Sequence, residues 1–196
     1  LESRGLGDVY KRQTVGQGVI ALLSEGGDVL SNRVGGTIEL VHVATRTPKP
    51  EVDTLGARDS RDVFDVARDP NVDVLIELIG GTTVAKELVV EALNQGKHVV
   101  TANKALLADH GDELFTLAES KGVALRFEAA VAGGIPVIEA VKTSLAGNHV
   151  SSVAGIINGT GNFILTEMAA KGREFSDVLA EAQALGYACL LYTSDA

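Results

Sequence analysis

The stretch His98–Leu107, HVVTANKALL, holds the residue of this chain best placed to do chemistry, Lys104. An expected buried strand, His98-Val99-Val100, leads into Thr101-Ala102-Asn103-Lys104, and apolar residues resume at Ala105, Leu106 and Leu107. Lysine is rarely buried without a partner, so an ammonium in an apolar setting is a functional candidate. The carboxyl end of a strand in an open α/β sheet is also where such folds bind ligands. The alternative is a lysine snorkelling out of a helix start, and the stretch alone does not choose between them.

Other side chains offer less. His42 and His98 fall in expected strands and read as core or strand-end residues, His110 and His149 as surface, and no metal-ligand spacing links the four. Cys189 is the only cysteine, which leaves no disulfide framework and no thiolate metal site. The chain has 17 Lys+Arg against 26 Asp+Glu, a net charge of −9, and no basic run with interleaved aromatics. That balance argues against a nucleic-acid surface. No apolar run approaches the ~20 residues of a membrane span, and no signal-peptide pattern opens the chain. A cytoplasmic protein is expected.

The elements that must position Lys104 follow from hydrophobic patterning. Strands are expected at Thr37–Ala44, Asp73–Leu78, Lys97–Thr101 and Val123–Phe127, continuous apolar runs of the kind found in parallel sheets covered on both faces. Helices are expected at Val15–Leu23, at Val84–Asn94 with Gly96 as its stop, and at Asp112–Lys121 with Gly122 as its stop. No convincing strand precedes the first helix. After Glu128 the texture changes. The turn Ala129–Gly134 precedes a helix through Pro136, Val137, Ile138, Val141 and Leu145. A strand is expected at Val150–Ile157, then helices at Phe163–Ala170 and Asp177–Leu185, with Ser176 as an N-cap.

The ends look foreign to this pattern. Of a G-x-G-x-x-G turn only Gly16 stands, in the third position; Lys11 and Gln13 occupy the other two. Leu1–Gln13 and Cys189–Ala196 resemble translated sequencing-adapter read-through. The expected division is therefore a non-native tail at 1–13, a dinucleotide-binding domain at 14–128, a partial second domain at 129–188 and a non-native tail at 189–196.

Between those ends, the segments TVGQGV (Thr14–Val19), VATR (Val43–Arg46), IELIGG (Ile76–Gly81), GKHVVTANKALL (Gly96–Leu107), FEAAVAGGIPV (Phe127–Val137), GIINGTGNFIL (Gly155–Leu165) and ALGYA (Ala184–Ala188) occur in order. This set closely resembles the amino-terminal half of the homoserine dehydrogenase family. The resemblance implies an α/β fold: a Rossmann-like NAD(P)-binding domain with a parallel sheet, then a truncated α+β substrate and dimerisation domain. It implies interconversion of L-homoserine and L-aspartate 4-semialdehyde with NADP(H), in threonine, methionine and isoleucine biosynthesis, by a homodimer when full-length.

Site residues follow by the same resemblance. Thr14, Val15, Gly16, Arg46, Gly80, Gly81, Thr101, Asn103, Lys104 and Gly186 are implied to bind cofactor, with Gly16 letting backbone approach a pyrophosphate. Arg46 stands after a strand where NAD-binding folds place an acidic residue on the ribose, so NADP is expected over NAD; a solvated loop arginine is the alternative. Lys104 is implied to lie by the cofactor and reach substrate. Asn158, Gly159 and Thr160 are implied to bind substrate from a strand end. Glu128, Val131, Gly133 and Ile135 are implied to offer oxygens to a sodium ion. The family's substrate-binding glutamate is replaced by Cys189, and its proton-transfer aspartate and lysine do not follow. The chain as written is therefore expected to be inactive. Another Rossmann dehydrogenase and a non-catalytic nucleotide-sensing module are the competing readings.

Overall fold

The computed structural model describes residues 2–4, 9–46, 52–155 and 158–185, with side chains from residue 15 onward in those ranges. It divides into two compact units, Leu1–Ser144 and Leu145–Ala196.

The first unit is built on strands β1 (Glu2–Arg4), β2 (His42–Thr45), β3 (Arg58–Ser60), β4 (Val74–Glu77), β5 (His98–Thr101) and β6 (Leu125–Arg126). All adjacent pairs run parallel, in the order β3-β2-β1-β4-β5-β6. Helices α1 (Val9–Val34), α2 (Val63–Arg68), α3 (Thr83–Asn94) and α4 (Lys104–Lys121) connect them. The strand order reverses between β1 and β4, and in such sheets the crevice at that reversal receives ligands.

The core explains why the middle of the chain was easy to read. Helix α3 buries Ala85, Leu88, Val89, Ala92 and Leu93, and these pack in one cluster with Leu75, Val99, Leu106 and Leu114. Each large aliphatic side chain buried in this way contributes about 1.5–3 kcal/mol. Gly122, at φ 68°, ends α4 in the left-handed conformation that β-carbon sterics reserve for glycine.

The structure departs from the sequence reading in several elements, among them α4, which begins at Lys104 rather than at Asp112. The segment Glu2–Arg4, expected to lie outside the fold, pairs with both β2 and β4 and occupies the centre of the sheet. A polar tripeptide gives no hydrophobic signal there; the slot is set by the backbone ladders on either side. Helix α1 begins at Val9 rather than Val15. Between β2 and β4 lie β3 and α2, too short to show a period. The expected strand at 150–157 is irregular and exposed over 150–155, because no strand among the described residues of its unit offers a ladder; positions 156 and 157 lie outside the described residues.

Residues 129–144 belong to the first unit, beyond the expected boundary at 128. The Glu128 carboxylate accepts from the amides of Ile138 and Glu139, each at 2.9 Å, and so holds the start of α5 (Val137–Glu139). A π-helical turn at Ala140–Ser144 follows, and Lys142 Nζ sits 5.7 Å from the Phe127 ring centre. The second unit pairs α6 (Gly159–Lys171) with α7 (Phe175–Ala184) over Ile164, Val178 and Ala182. The N-cap of α7 is Glu174, one residue before the helix and two before the expected Ser176.

Candidate functional site

Strands β4 and β5 end side by side, Glu77 opposite Thr101. Each then turns into a helix, and one buried side chain organises both turns. Glu77 is fully buried. Its Oε1 accepts from the amides of Ile79 (2.8 Å) and Gly80 (3.0 Å), while Oε2 accepts from the Thr101 hydroxyl at 2.6 Å. Thr101 Oγ1 accepts in turn from the Asn103 amide at 3.0 Å. The Asn103 side chain closes the circuit: Nδ2 donates to the Gly81 carbonyl at 2.7 Å and Oδ1 accepts from the Leu106 amide at 3.1 Å, capping α4.

Of the residues expected to bind cofactor, Gly80, Gly81, Thr101, Asn103 and Lys104 are thus brought together at the carboxyl ends of β4 and β5. Gly80 and Gly81 stand at φ 65° and 73°, where a side chain would be strained, and a Cβ on Gly81 would meet no atom within 4 Å. The surface beside Gly81 is open. Lys104 is the first residue of α4 and is exposed, so the premise of an ammonium held in the core is corrected. The buried lysine is Lys97, 6% exposed, whose Nζ donates to the carbonyls of Asp69 and Val72, each at 2.6 Å. Burial pushes its ammonium down from the ordinary range, against the pull of Asp69 and Asp73.

Arg46 is exposed and directly follows the last residue of β2. Beside that strand end Arg61 donates to the Thr45 carbonyl (3.2 Å) and hydroxyl (2.9 Å) and forks onto Asp59. Thr14, Val15 and Gly16 do not form a turn before the helix. They lie inside α1, so their amides are spent on its i→i−4 ladder and are not available to a pyrophosphate. Gly16 is buried, which fits the third glycine's part in close helix–strand packing. Gly186 lies outside the described residues.

Residues Glu128, Val131, Gly133 and Ile135 form a tight loop in which Ala132 (φ 55°) and Gly133 (φ 61°) take left-handed conformations in succession. The Glu128 carbonyl accepts from Val131 N and the Ile135 carbonyl from Val137 N. Each carbonyl keeps a second lone pair, so a hard cation remains compatible with the loop. Asn158, Gly159 and Thr160 open a helix rather than end a strand. The Asn158 side chain accepts from Gly161 N at 2.8 Å as the N-cap of α6, and Gly159 and Thr160 are that helix's first residues. Among the described residues no group of His, Cys, Asp or Glu could hold a metal ion.

At the opposite, amino ends of the strands, a groove of about 1050 Å³ is lined by Leu40, Ala57, Arg58, Asp69, Asn71 and Asp73 among others. Beneath it His42, fully buried, places Nδ1 2.9 Å from Asp69 Oδ2 and Nε2 3.0 Å from Ser60 Oγ. This is the wrong end of the sheet for a dinucleotide. Neither Glu77 nor this cluster was singled out from sequence. Glu77 stood inside the apolar run Val74–Leu78 as its one acidic residue, and that contrast was the available signal.

A parallel sheet of this order, with paired left-handed glycines after β4 and a cation after β2, defines a dinucleotide-binding domain of the Rossmann type. The family model "Homoserine dehydrogenase, NAD binding domain" matches residues 14–128, and the "Homoserine dehydrogenase" model matches residues 136–195. The chain belongs to the homoserine dehydrogenase family. It is 57% identical over 175 residues to the homoserine dehydrogenase of Pseudomonas aeruginosa, covering 89% of this chain and 40% of that protein. It is 50% identical over 176 residues to that of Neisseria gonorrhoeae, with the same coverage. The crystal structure of a homoserine dehydrogenase from Thiobacillus denitrificans superposes with a TM-score of 0.84 at 47% identity, over 95% of this chain and 42% of that one. A hyperthermophilic archaeal homoserine dehydrogenase in complex with NADPH shares the fold, with a TM-score of 0.76 at 23% identity. The chain thus spans about 40% of the length of its bacterial relatives.

Proposed function

We propose that this chain carries the cofactor-binding part of an enzyme that interconverts L-homoserine and L-aspartate 4-semialdehyde with NADP(H). The observation that carries the reading is the bridge from Asn103 Nδ2 to the Gly81 carbonyl at 2.7 Å. It joins the glycine turn after β4 to the lysine-bearing turn after β5, making one open platform at the ligand-binding end of the sheet. The match of the family's models to both parts of the chain supports the same activity.

When bound there, the nicotinamide supplies or takes the hydride at the aldehyde carbon; the chain's residues bind and orient. Gly80 and Gly81 let backbone come close to the cofactor. Arg46 meets a ribose 2′-phosphate, which favours NADP over NAD. Lys104 orients substrate or cofactor. A cation in the first turn of a helix opposes the macrodipole, so helix stability gives no reason for a lysine at this position. Asn158, Gly159 and Thr160 contribute to the substrate side, and the carbonyls of Glu128, Val131, Gly133 and Ile135 take a sodium ion. The left-handed Ala132 supports that last assignment, since a non-glycine residue there costs roughly 1–2 kcal/mol and is retained at functional loops. Thr14–Gly16 are not assigned a phosphate contact, because their amides are committed to α1. The full-length enzyme is proposed to act as a cytoplasmic homodimer in the biosynthesis of threonine, methionine and isoleucine.

The test is to express the full-length protein with native residues in place of 1–13 and 189–196 and follow NADP⁺ reduction with L-homoserine. Turnover supports the reading. Tight NADPH binding without turnover on homoserine or aspartate 4-semialdehyde would favour a nucleotide-sensing module instead.

A further inference from the structure

We infer that Glu77 is a positioning residue that sets the two cofactor-facing turns against each other, with Thr101 as its coupling group. The inference rests on the cofactor reading above and names what holds that platform together.

Glu77 is fully buried at the end of β4, and among the described residues no cation pairs with it. An unpaired buried anion is a poor choice for stability alone, since burial strips it of water and an apolar or amide side chain would avoid that cost. What it gains is directional. A carboxylate only accepts, so its two oxygens fix the polarity of every group around it. Oε1 gathers the amides of Ile79 and Gly80 and thereby shapes the turn that places Gly80 and Gly81 at positive φ. Oε2 accepts the hydrogen bond of the Thr101 hydroxyl, which directs that oxygen's lone pairs toward Asn103 N. Asn103 then reaches back to Gly81 and caps the helix that begins with Lys104. Both turns therefore hang on one side chain, through contacts that all run in one donor-to-acceptor sense.

This polarity makes a sharp test possible. In Glu77→Gln the amide oxygen can still accept from Ile79 and Gly80, but the NH₂ faces Thr101 and donates where the carboxylate accepted. The fully buried Thr101 hydroxyl would then receive two donors and have nowhere to place its own proton. Thr101→Val removes the coupling while leaving both Ile79 and Gly80 bonded to Glu77; Thr101→Ser keeps it.

The experiment uses the full-length protein with native residues in place of 1–13 and 189–196, with two readouts. Amide hydrogen exchange is measured at residues 78–81 and 102–106, and KM for NADPH is measured apart from kcat. Glu77→Gln is expected to speed exchange in both segments together and to raise KM for NADPH roughly ten-fold, with kcat at saturating cofactor changed far less. Thr101→Val should speed exchange at 102–106 and raise the same KM, and Thr101→Ser should restore both. The inference is overturned if Glu77→Gln lowers only thermal stability, or if Thr101→Val leaves exchange and KM within about two-fold of the parent. Failure of the parent itself to bind NADPH would overturn the cofactor reading, an outcome distinct from the exchange result, which reports on the link between the turns.

Discussion

Replacing Asn103 tests the site's geometry where its contributions can be separated. The side chain has two jobs in the structure. Its Oδ1 caps α4 through Leu106 N, and its Nδ2 holds the Gly81 carbonyl. Loss of an N-cap costs about 1 kcal/mol within a range of 0.5–2. Loss of the bridge costs about 1 kcal/mol, at the low end for a hydrogen bond, because Gly81 is exposed and its carbonyl can turn to water. Asn103→Ala should therefore destabilise by about 2 kcal/mol, and Asn103→Ser, which keeps a capping oxygen but cannot reach Gly81, by about 1 kcal/mol. At roughly 2–4 °C per kcal/mol for a chain of this size, the expected shifts in Tm are about 4–8 °C and 2–4 °C. Thermal unfolding followed by circular dichroism reads both. Equal losses for the two variants would show that the cap contributes nothing; shifts below about 1 °C for both would refute the bridged-platform geometry.

Three further outcomes are expected. Arg46→Ala in the full-length enzyme should weaken NADPH by about ten- to a hundred-fold and NADH far less, since a charge-assisted phosphate contact is worth about 1.5–3 kcal/mol; equal losses in a binding titration would remove the 2′-phosphate assignment. Lys104→Ala should lower turnover by orders of magnitude while leaving the fold intact; retained turnover with a lower Tm would restore the snorkelling reading. The Asn71 amide, and beyond it His42 and the Asn71 side chain, hold the Asp69 carboxyl below its ordinary range despite its burial. The folded state then binds fewer protons there than the unfolded chain, so the stabilisation is complete above the ordinary carboxylate value of about 4 and is lost as pH falls through the folded value. Asp69→Asn should flatten the acid limb of a stability-against-pH curve, and an unchanged limb would contradict the hydrogen bonds that Asn71 and His42 make to Asp69.

What could be read from sequence divides along physical lines. The strands at β4 and β5 and helix α3 declared themselves because their apolar runs meet in one core, Leu75 and Val99 packing against the buried face of α3. The turn residues Gly80, Gly81, Asn103 and Lys104 were legible as a group through the family resemblance, whose segments IELIGG and GKHVVTANKALL carry them. The central strand β1 was not legible: three polar residues carry no pattern, and only pairing with β2 and β4 defines them. Of the two readings open for Lys104 the exposed one holds: the apolar run after it turns Leu106 into the core, while Lys104 opens α4 on the side facing water. Lys97 went unnoticed because its partners, the carbonyls of Asp69 and Val72, are backbone groups from a distant loop. Glu77 was quoted in a motif without a role, since the network it organises joins residues from two separate turns.

The most direct measurement is a crystal structure of the full-length protein with native residues in place of 1–13 and 189–196, grown with NADPH. The account predicts the cofactor at the carboxyl ends of the strands, with its nicotinamide ribose against Gly80 and Gly81, Lys104 facing the same cleft, and Arg46 at the 2′-phosphate. Cofactor seated in the amino-end groove beside Arg58, Asp69 and Asn71, or a 2′-phosphate bound without Arg46, would contradict it.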